Sequence, residues 1–318
     1  MSEFNLIQKY FTRPTHQTDL AVGDDAALIQ VAEGMQLAIS SDMLVAGTHF
    51  FANAAAYDIG WKALAVNISD MAAMGAQAKW ATLSIALPEI NEAWLAEFSN
   101  GFFTCAEQFN IDLIGGDTTR GPLNISVTIM GEVPISQALR RVGAKVGDDI
   151  WVSGTLGSAA LGLAHLEGKI VLKNDALEAN IHALCRPMPR AGLGLALRGI
   201  ATSCIDISDG LLADLGHILK ASNLGASIDL ENLPLSLDHF NDLHNPVIQQ
   251  CVLAGGDDYE LCFTAPPNKR DSIDLLSKQQ NLPLTCIAST RMAIGLQAMY
   301  KSSEIKLNSK GFDHFGEK

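Results

Sequence analysis

Leu113-Ile114-Gly115-Gly116-Asp117-Thr118-Thr119-Arg120-Gly121 is the stretch on which the interpretation of this chain depends. Its two apolar residues predict a strand that ends at Ile114. Gly115 and Gly116 then predict a turn whose main-chain N–H groups a ligand can touch, because glycine has no Cβ. Glycines followed by a carboxylate, hydroxyls and a cation suit a phosphate held through a divalent metal. The alternative is a tight turn with a capping Asp, since short glycine-rich motifs also occur by chance.

Acidic residues in comparable settings recur along the chain. They lie at predicted strand ends, near predicted helix starts or among apolar neighbours: Asp25, Asp42, Asp70, Asp117, Asp206 and Asp209. Carboxylates that converge without cations repel one another, and bound Mg²⁺ relieves this repulsion because it takes oxygen ligands and commonly shares nucleotide phosphates. The pattern suggests a metal–triphosphate site, and separate caps and turns are the alternative interpretation.

The composition favours a two-domain globular protein without a nucleic-acid partner. The 318 residues are 48% hydrophobic, which is ample for buried cores, and this length is typical of about two domains. The formal net charge is −13, whereas nucleic-acid binding needs clustered cations. Such a charge is compatible with Mg²⁺ binding and equally with ordinary solubility.

Cysteine usage and hydropathy predict a cytoplasmic protein with no membrane segment. None of the six cysteines lies in a C-x-x-C pair, and most have apolar neighbours, which is typical of reduced core cysteines. Residues 1–11 lack the continuous apolar run of a signal peptide, and no apolar run approaches the length of a membrane span.

Alternating strands and helices predict an α/β or α+β fold. Apolar residues at helical spacing predict helices over 57–76, 91–109 and 189–200. This pattern breaks over 134–147, so we expect domains that span 1–136 and 145–318. Ile68-Ser69-Asp70 recurs as Ile207-Ser208-Asp209, which agrees with two halves of similar build.

Common nucleotide, metal and nucleophile motifs are missing from the sequence. It contains no G-x-x-x-x-G-K-[ST] loop, no kinase H-R-D or D-F-G set, no H-E-x-x-H or Cys/His zinc pattern, and no G-x-S-x-G elbow. Taken alone, His49 and Arg141 are isolated, and each is more typical of a surface position than of a ligand contact.

A set of motifs in one order nevertheless resembles a single enzyme family. The motifs are Gly23-Asp24-Asp25-Ala26-Ala27, Ser40-Ser41-Asp42, Leu44-Val45-Ala46-Gly47-Thr48-His49-Phe50, residues 62–76, Gly115-Gly116-Asp117-Thr118-Thr119-Arg120-Gly121, Asp206-Ile207-Ser208-Asp209-Gly210-Leu211, Gly256-Asp257-Asp258-Tyr259-Glu260-Leu261 and Gly311-Phe312-Asp313-His314-Phe315. Together they resemble the thiamine-monophosphate kinase family along the whole chain. Single pieces, such as Gly-Gly-Asp, also occur in the wider superfamily of aminoimidazole ribonucleotide synthetase and selenophosphate synthetase.

The resemblance implies a fold and a set of ligands. The fold is a two-domain aminoimidazole ribonucleotide synthetase-like fold of the α/β (α+β) class. Its N-terminal domains form a dimer-wide β-barrel in a homodimer and hold ATP and Mg²⁺, and the C-terminal α/β domain covers them. The implied Mg²⁺ ligands are Asp25, Ser40, Ser41, Asp42, Asp70, Asp117, Asp206 and Asp209, with Asp70, Asp117 and Asp209 in the catalytic role. The implied ATP contacts are Gly116, Asp117, Arg141 and Ser208, and the implied thiamine monophosphate contacts are His49, Asp257 and Phe312.

The chain departs from the family pattern at two of the implied substrate contacts. Asp257 stands where the family often has Glu, so its carboxylate is one methylene shorter. Phe312 stands where many members have Tyr or Trp. Ring stacking survives that second change, but a hydroxyl or N–H contact does not.

The implied reaction converts ATP and thiamine monophosphate to ADP and thiamine diphosphate by direct in-line transfer. The acceptor phosphate is largely ionised because the second pKa of a phosphomonoester is about 6, so no strong general base is expected. Metal ions that bridge the phosphates would neutralise charge and align the attack. The alternatives are another ATP-dependent synthetase of the same superfamily and a non-catalytic nucleotide or metal sensor.

Overall fold

The structure is a computed structural model that describes residues 2–235, 243–307 and 311–315. Its contacts divide the chain into two compact units. The N-terminal unit comprises Met1–Ala72 and Ala76–Ala138, and the C-terminal unit comprises Ala73–Gly75 and Leu139–Lys318. Strands and helices alternate in both units, so the predicted α/β class is confirmed.

The secondary structure follows the hydrophobic pattern of the chain. The helices are α1 (Glu3–Leu6), α2 (Ala56–Ala73), α3 (Glu92–Phe109), α4 (Ser158–Leu166), α5 (Asn174–Cys185), α6 (Ala191–Ala196), α7 (Leu211–Ser222), α8 (Pro246–Ala254) and α9 (Arg270–Gln280), with a π-helical turn at Ile7–Phe11 and 3₁₀ turns at Leu230–Asn232 and Pro267–Lys269. The strands are β1 (Met35–Val45), β2 (Gln77–Leu87), β3 (Asp112–Arg120), β4 (Asn124–Pro134), β5 (Asp149–Ser153), β6 (Ser203–Asp206), β7 (Gly225–Asp229), β8 (Leu261–Ala265), β9 (Leu284–Ser289), β10 (Gly295–Tyr300) and β11 (Ser303–Glu304).

The N-terminal unit is built on one four-stranded sheet in the order β1-β4-β2-β3. β2 and β3 are parallel, and the other neighbours are antiparallel. α2 and α3 pack backbone to backbone, since a Cβ on Gly60 would lie 2.1 Å from the carbonyl oxygen of Phe98. Apolar side chains from the sheet and both helices, among them Trp80, Phe102 and Ile129, are fully buried and form the core of this unit.

The strand predicted to end at Ile114 in fact continues to Arg120, so the expected turn at Gly115 and Gly116 is wrong. The pairing shifts between Ala81 opposite Leu113 and Thr82 opposite Gly115, which leaves Ile114 as the extra residue of a β-bulge. Glycine within a strand often marks such a bulge or a close backbone approach. The two glycines therefore mark an irregular strand, which carries Asp117 along the edge of the sheet.

The C-terminal unit contains two sheets, in the orders β6-β8-β5-β9 and β11-β10-β7. The first is antiparallel throughout, and β7 and β10 pair in parallel in the second. The apolar face of α7 joins the buried core of this unit through Leu215 and Ile218. This packing fixes the N-terminal end of α7 beside the end of β6.

Several sequence predictions are confirmed and others need adjustment. The helix expected over 57–76 is α2, which ends three residues earlier at Ala73, and the helix expected over 189–200 is reduced to α6. All six cysteines are free, and four of them are buried, whereas Cys185 is half-buried and Cys286 is exposed, which differs from an all-core set.

Two observations bear on the expected barrel and on membranes. Within the part of the chain that the structure describes, each sheet is open and no single chain closes a barrel. Among the same described residues, no helix combines the length and the apolar character needed to cross a bilayer.

Candidate active site

The bulged strand β3 presents Asp117 beside an exposed, side-chain-free piece of backbone. Gly116 has a φ of 149°, and a Cβ there would lie 1.8 Å from the carbonyl oxygen of Leu83 on β2. No other residue fits this position without moving the strand. Asp117 is exposed, while the next residue, Thr118, is buried. The result is a carboxylate next to open main-chain groups, an arrangement that suits a phosphate–metal ligand.

On the opposite edge of the same sheet, β1 brings two of the predicted ligands together with α2. The Ser40 hydroxyl donates to Oδ2 of Asp70 at 2.5 Å. The backbone N–H of Asp42 donates to Oδ1 of Asn67 at 3.2 Å, and the side-chain Nδ2 of Asn67 donates in turn to Ala63 O at 3.0 Å. Asp70 is therefore half-buried with a hydroxyl partner.

Other predicted ligands of this unit lie apart from that pair. The Ser41 hydroxyl contacts Val127 O and the Thr128 hydroxyl on β4. Asp25 is exposed in the segment before β1. His49 follows β1, and its Nδ1 accepts the N–H of Val45 at 3.0 Å. His49 thus has a defined orientation in the loop after the strand.

The sheet order separates the carboxylates of the N-terminal unit. β1 and β3 are its two edges, so three strand spacings, or roughly 14 Å, lie between Asp42 and Asp117. Within the described ranges, no group of three or more His, Cys, Asp or Glu side chains is arranged to hold a metal ion. One N-terminal unit therefore contributes two separate acidic edges.

In the C-terminal unit, the predicted site residues gather around one loop, residues 208–210, between β6 and α7. Asp206, buried at the end of β6, precedes the loop. The carbonyl oxygen of Ser208 accepts the N–H of Asp257 at 2.9 Å, and the carbonyl oxygen of Asp209 accepts the N–H of Phe312 at 3.0 Å. Three segments that are distant in sequence thereby meet at this loop.

The segment that carries Asp257 is held tightly and in an unusual conformation. Asp257 and Tyr259 have φ values of 68° and 50°, a region that non-glycine residues seldom adopt. The Tyr259 hydroxyl donates to Oδ1 of Asp257 at 3.0 Å. A Cβ on Gly256 would lie 2.4 Å from the Ser208 carbonyl oxygen, so only glycine permits this close approach. Strained backbone of this kind is often concentrated at ligand sites.

The charges around Asp209 come from several segments of the C-terminal unit. Burial, the largest effect, raises the pKa of Asp209, and the neighbouring carboxylate of Asp257 acts in the same direction. His217, His314 and Arg141 oppose the rise through their charges. Arg141, isolated in the sequence, therefore lies near Asp209 in the loop of residues 208–210.

Two residues of this region were missed by reasoning from the sequence. Asp214 accepts three N–H groups of the loop, and Tyr259 orients Asp257. A signal for Asp214 does exist in the sequence, because it is a carboxylate between Leu212 and Leu215, two apolar residues at helical spacing. Nothing local indicates that Tyr259 reaches back to Asp257.

Comparison with known proteins gives a consistent result. Residues 23–133 match the family profile "AIR synthase related protein, N-terminal domain". Thiamine-monophosphate kinase of Escherichia coli (strain K12) is 46% identical over 319 residues, which cover 98% of this chain and 98% of that protein.

Solved structures agree with the sequence comparison. The crystal structure of thiamine-monophosphate kinase from Stenotrophomonas maltophilia K279a is 46% identical, with a TM-score of 0.83 and coverage of 93% of each chain. The structure of AaThiL complexed with AMPPCP and TMP is 31% identical, with a TM-score of 0.76 and coverage of 93% of this chain and 92% of that one. The motifs, the α/β fold and this full-length identity lead to one conclusion: the chain belongs to the thiamine-monophosphate kinase family.

Proposed function

We propose that this protein transfers the γ-phosphoryl group of ATP to thiamine monophosphate and releases ADP and thiamine diphosphate. The observation that carries the proposal is identity of 46% to a thiamine-monophosphate kinase over 98% of both chains. A relative whose structure contains AMPPCP, an ATP analogue, together with TMP supports the choice of both substrates. The chemistry of the described side chains supports it further.

The predicted metal ligands suit Mg²⁺ in their donor chemistry. They offer carboxylate and hydroxyl oxygens and no sulfur or imidazole, and hard oxygen ligands are those that Mg²⁺ prefers. The residues that would hold the ions are Asp25, Ser40, Ser41, Asp42, Asp70, Asp117, Asp206 and Asp209. Bound Mg²⁺ would supply charge neutralisation between the phosphates of the two substrates.

The nucleotide contacts proposed are Gly116, Asp117, Arg141 and Ser208. Support for Gly116 comes from its backbone, which no Cβ covers and which lies directly before Asp117 on the exposed edge of β3. Arg141 brings a cation to the neighbourhood of Asp209, as a triphosphate contact requires.

The contacts proposed for thiamine monophosphate are His49, Asp257 and Phe312. The Phe312 ring is half-exposed, at 50%, and makes a T-shaped contact with the His314 ring at 4.8 Å between centroids, so its exposed surface is available to a flat heterocycle. The Asp257 carboxylate is oriented by Tyr259. These features support stacking plus one charged contact for a cationic, aromatic substrate.

The transfer needs orientation more than acid–base chemistry. A new bond forms between the γ-phosphorus and an oxygen of the acceptor phosphate, and the bond to the β–γ bridging oxygen breaks, with its electron pair leaving on ADP. Because the acceptor oxygen is already largely ionised, no residue has to remove a proton. Asp70, Asp117 and Asp209 are the residues proposed to hold the phosphates in line through the metal.

The test of this chemistry compares two acceptors. Thiamine monophosphate should be phosphorylated and free thiamine should not, because the thiamine alcohol is a poor nucleophile without a base and cannot share a bridging metal. Equal concentrations of each acceptor are incubated with ATP and Mg²⁺, and ADP and phosphorylated thiamine are followed by chromatography.

Comparable rates for the two acceptors would contradict the direct-transfer mechanism. Binding of ATP without turnover of either acceptor would contradict the kinase and favour a nucleotide sensor. ATP hydrolysis linked to a different product would favour a synthetase of the same superfamily.

The proposed assembly is a homodimer whose N-terminal domains, residues 1–136, form a joint β-barrel, with residues 145–318 as the C-terminal α/β domain. The long edge strand β1 supports it, because its outer face carries exposed Met35, Leu37, Ile39 and Met43. An exposed apolar edge strand is a template for pairing with another chain.

A cytoplasmic location is part of the proposal and is supported by six free cysteines.

A further inference from the structure

One carboxylate oxygen in the C-terminal unit collects three consecutive backbone N–H groups. Oδ2 of Asp214 accepts from Ser208 N at 3.1 Å, from Asp209 N at 3.0 Å and from Gly210 N at 3.1 Å. Asp214 lies in the first turn and a half of α7 and is only 3% exposed. A buried carboxylate that accepts several charge-assisted bonds holds its donors firmly.

These contacts organise the loop and not simply the helix. The N-cap of α7 is Gly210, which has no side chain with which to cap. An ordinary capping side chain would satisfy donors inside the first turn, at Leu212 or Ala213. Asp214 instead reaches backward, and two of its three donors, Ser208 and Asp209, precede the cap.

The carbonyl side of the same loop holds two further segments. Ser208 O accepts the N–H of Asp257, and Asp209 O accepts the N–H of Phe312. The peptide groups Ser208–Asp209 and Asp209–Gly210 are thus each bound to Asp214 on the N–H side and to a distant segment on the carbonyl side. A shift of the loop would move the backbone of Asp257 and Phe312 with it.

From this arrangement we infer that Asp214 is a positioning residue that sets the nucleotide contact at Ser208 and the substrate contacts at Asp257 and Phe312 together. The assignment of these contacts rests on the proposed function. The hydrogen bonds of Asp214 do not depend on the proposed function, so the network and the contact assignments are tested by separate measurements.

The first measurement is amide hydrogen exchange of the full-length protein and of Asp214→Ala. Exchange at Ser208, Asp209 and Gly210 should accelerate ten-fold or more, with a smaller increase at Asp257 and Phe312. Asp112→Ala is the matched control, because Oδ2 of Asp112 also accepts two consecutive backbone N–H groups, those of His16 and Gln17, and Asp112 is 7% exposed. Unchanged exchange at residues 208–210 would overturn the inference.

The second measurement is steady-state kinetics of the same variants. Asp214→Ala should raise the KM for ATP and the KM for thiamine monophosphate together, each ten-fold or more, and Asp214→Asn should raise both less because its amide oxygen still accepts. Asp112→Ala should lower the melting temperature and leave both KM values within two-fold. A purely structural role would move neither KM.

Two outcomes separate the inference from the proposed function. An active parent enzyme whose KM values do not change in Asp214→Ala overturns the positioning role. A parent that turns over no thiamine monophosphate refutes the proposed function, and the exchange rates still decide whether Asp214 holds the loop.

Discussion

Gly116 and Phe312, each in its own unit, illustrate how a single residue supports a proposed ligand contact. At Gly116 the backbone itself is the feature, because a Cβ would collide with Leu83 O and because the exposed main chain leads directly to Asp117. At Phe312 the ring is the feature, since it is half-exposed while its N–H is tied to Asp209 O. A tethered backbone with a partly exposed ring is what a stacking contact needs.

Replacement of Phe312 by Ala should therefore weaken the binding of thiamine monophosphate and leave the binding of ATP unchanged. An aromatic contact contributes about 0.5–1.5 kcal/mol beyond its buried area, which corresponds to an increase in the KM for thiamine monophosphate of about two- to thirteen-fold. The KM for ATP should stay unchanged, in contrast to Asp214→Ala.

Phe315→Ala is the control for this experiment, because Phe315 lies in the same segment and its side chain is fully exposed. It should leave both KM values as they are. A fall in melting temperature for Phe312→Ala with unaltered kinetics would show instead that the ring serves stability.

At the scale of the elements, β4 ties the segment before β1 to the sheet through Glu132. Its buried carboxylate accepts from Lys79 Nζ on β2 at 2.6 Å and from the backbone N–H of Ala32 at 2.9 Å. Burial acts to raise the pKa of Glu132, but the bonds to Lys79 and Ala32 outweigh it, and the net pKa lies below its ordinary value of 4.5. Glu132 therefore favours the folded state in its ionised form.

Glu132→Gln should lower the free energy of unfolding at pH 7 by about 1.5–3 kcal/mol, the range for hydrogen bonds to charged groups. Because the folded-state pKa is lowered, this contribution is complete above the unfolded pKa and is lost as the pH falls through the folded value. The difference between parent and variant in urea denaturation should hence shrink from pH 7 toward pH 3.5.

Glu107→Gln, which alters an exposed side chain on α3, should show no such difference at either pH. A Glu132→Gln effect that is equally large at both ends of the pH range would mean that packing, and not charge, explains it.

For the whole molecule, the proposed dimer depends on the outer face of β1. Ile39 is 61% exposed in the middle of an edge strand eleven residues long. Placing a charge there would leave it buried and unpaired in a dimer interface, which is strongly unfavourable.

Ile39→Lys should thus convert a dimeric parent to a monomer at micromolar concentration, as measured by analytical ultracentrifugation. Leu275→Lys, at a residue that is 55% exposed on α9, is the matched control, and this variant should still sediment with the mass of a dimer. A parent that sediments as a single chain at all concentrations would refute the dimer.

The sequence by itself determined the features that depend on local order. The spacing of apolar residues was enough to predict α2, α3 and the α/β class. A helix or strand buries one face, and the period at which apolar residues recur along the sequence shows which element forms that face. The motif order also identified the family, since each motif is a short run of adjacent residues that can be read without the fold.

Only the tertiary structure decided the features that depend on which segments become neighbours. The bulge at Ile114 follows from the pairing of β3 with β2, and the separation of Asp42 from Asp117 follows from the strand order. Asp214, Asp257 and Phe312 meet at residues 208–210 through hydrogen bonds, some of which span dozens of residues. A hydrogen bond joins groups that are close in space, and no local pattern of side chains specifies a partner so far along the chain.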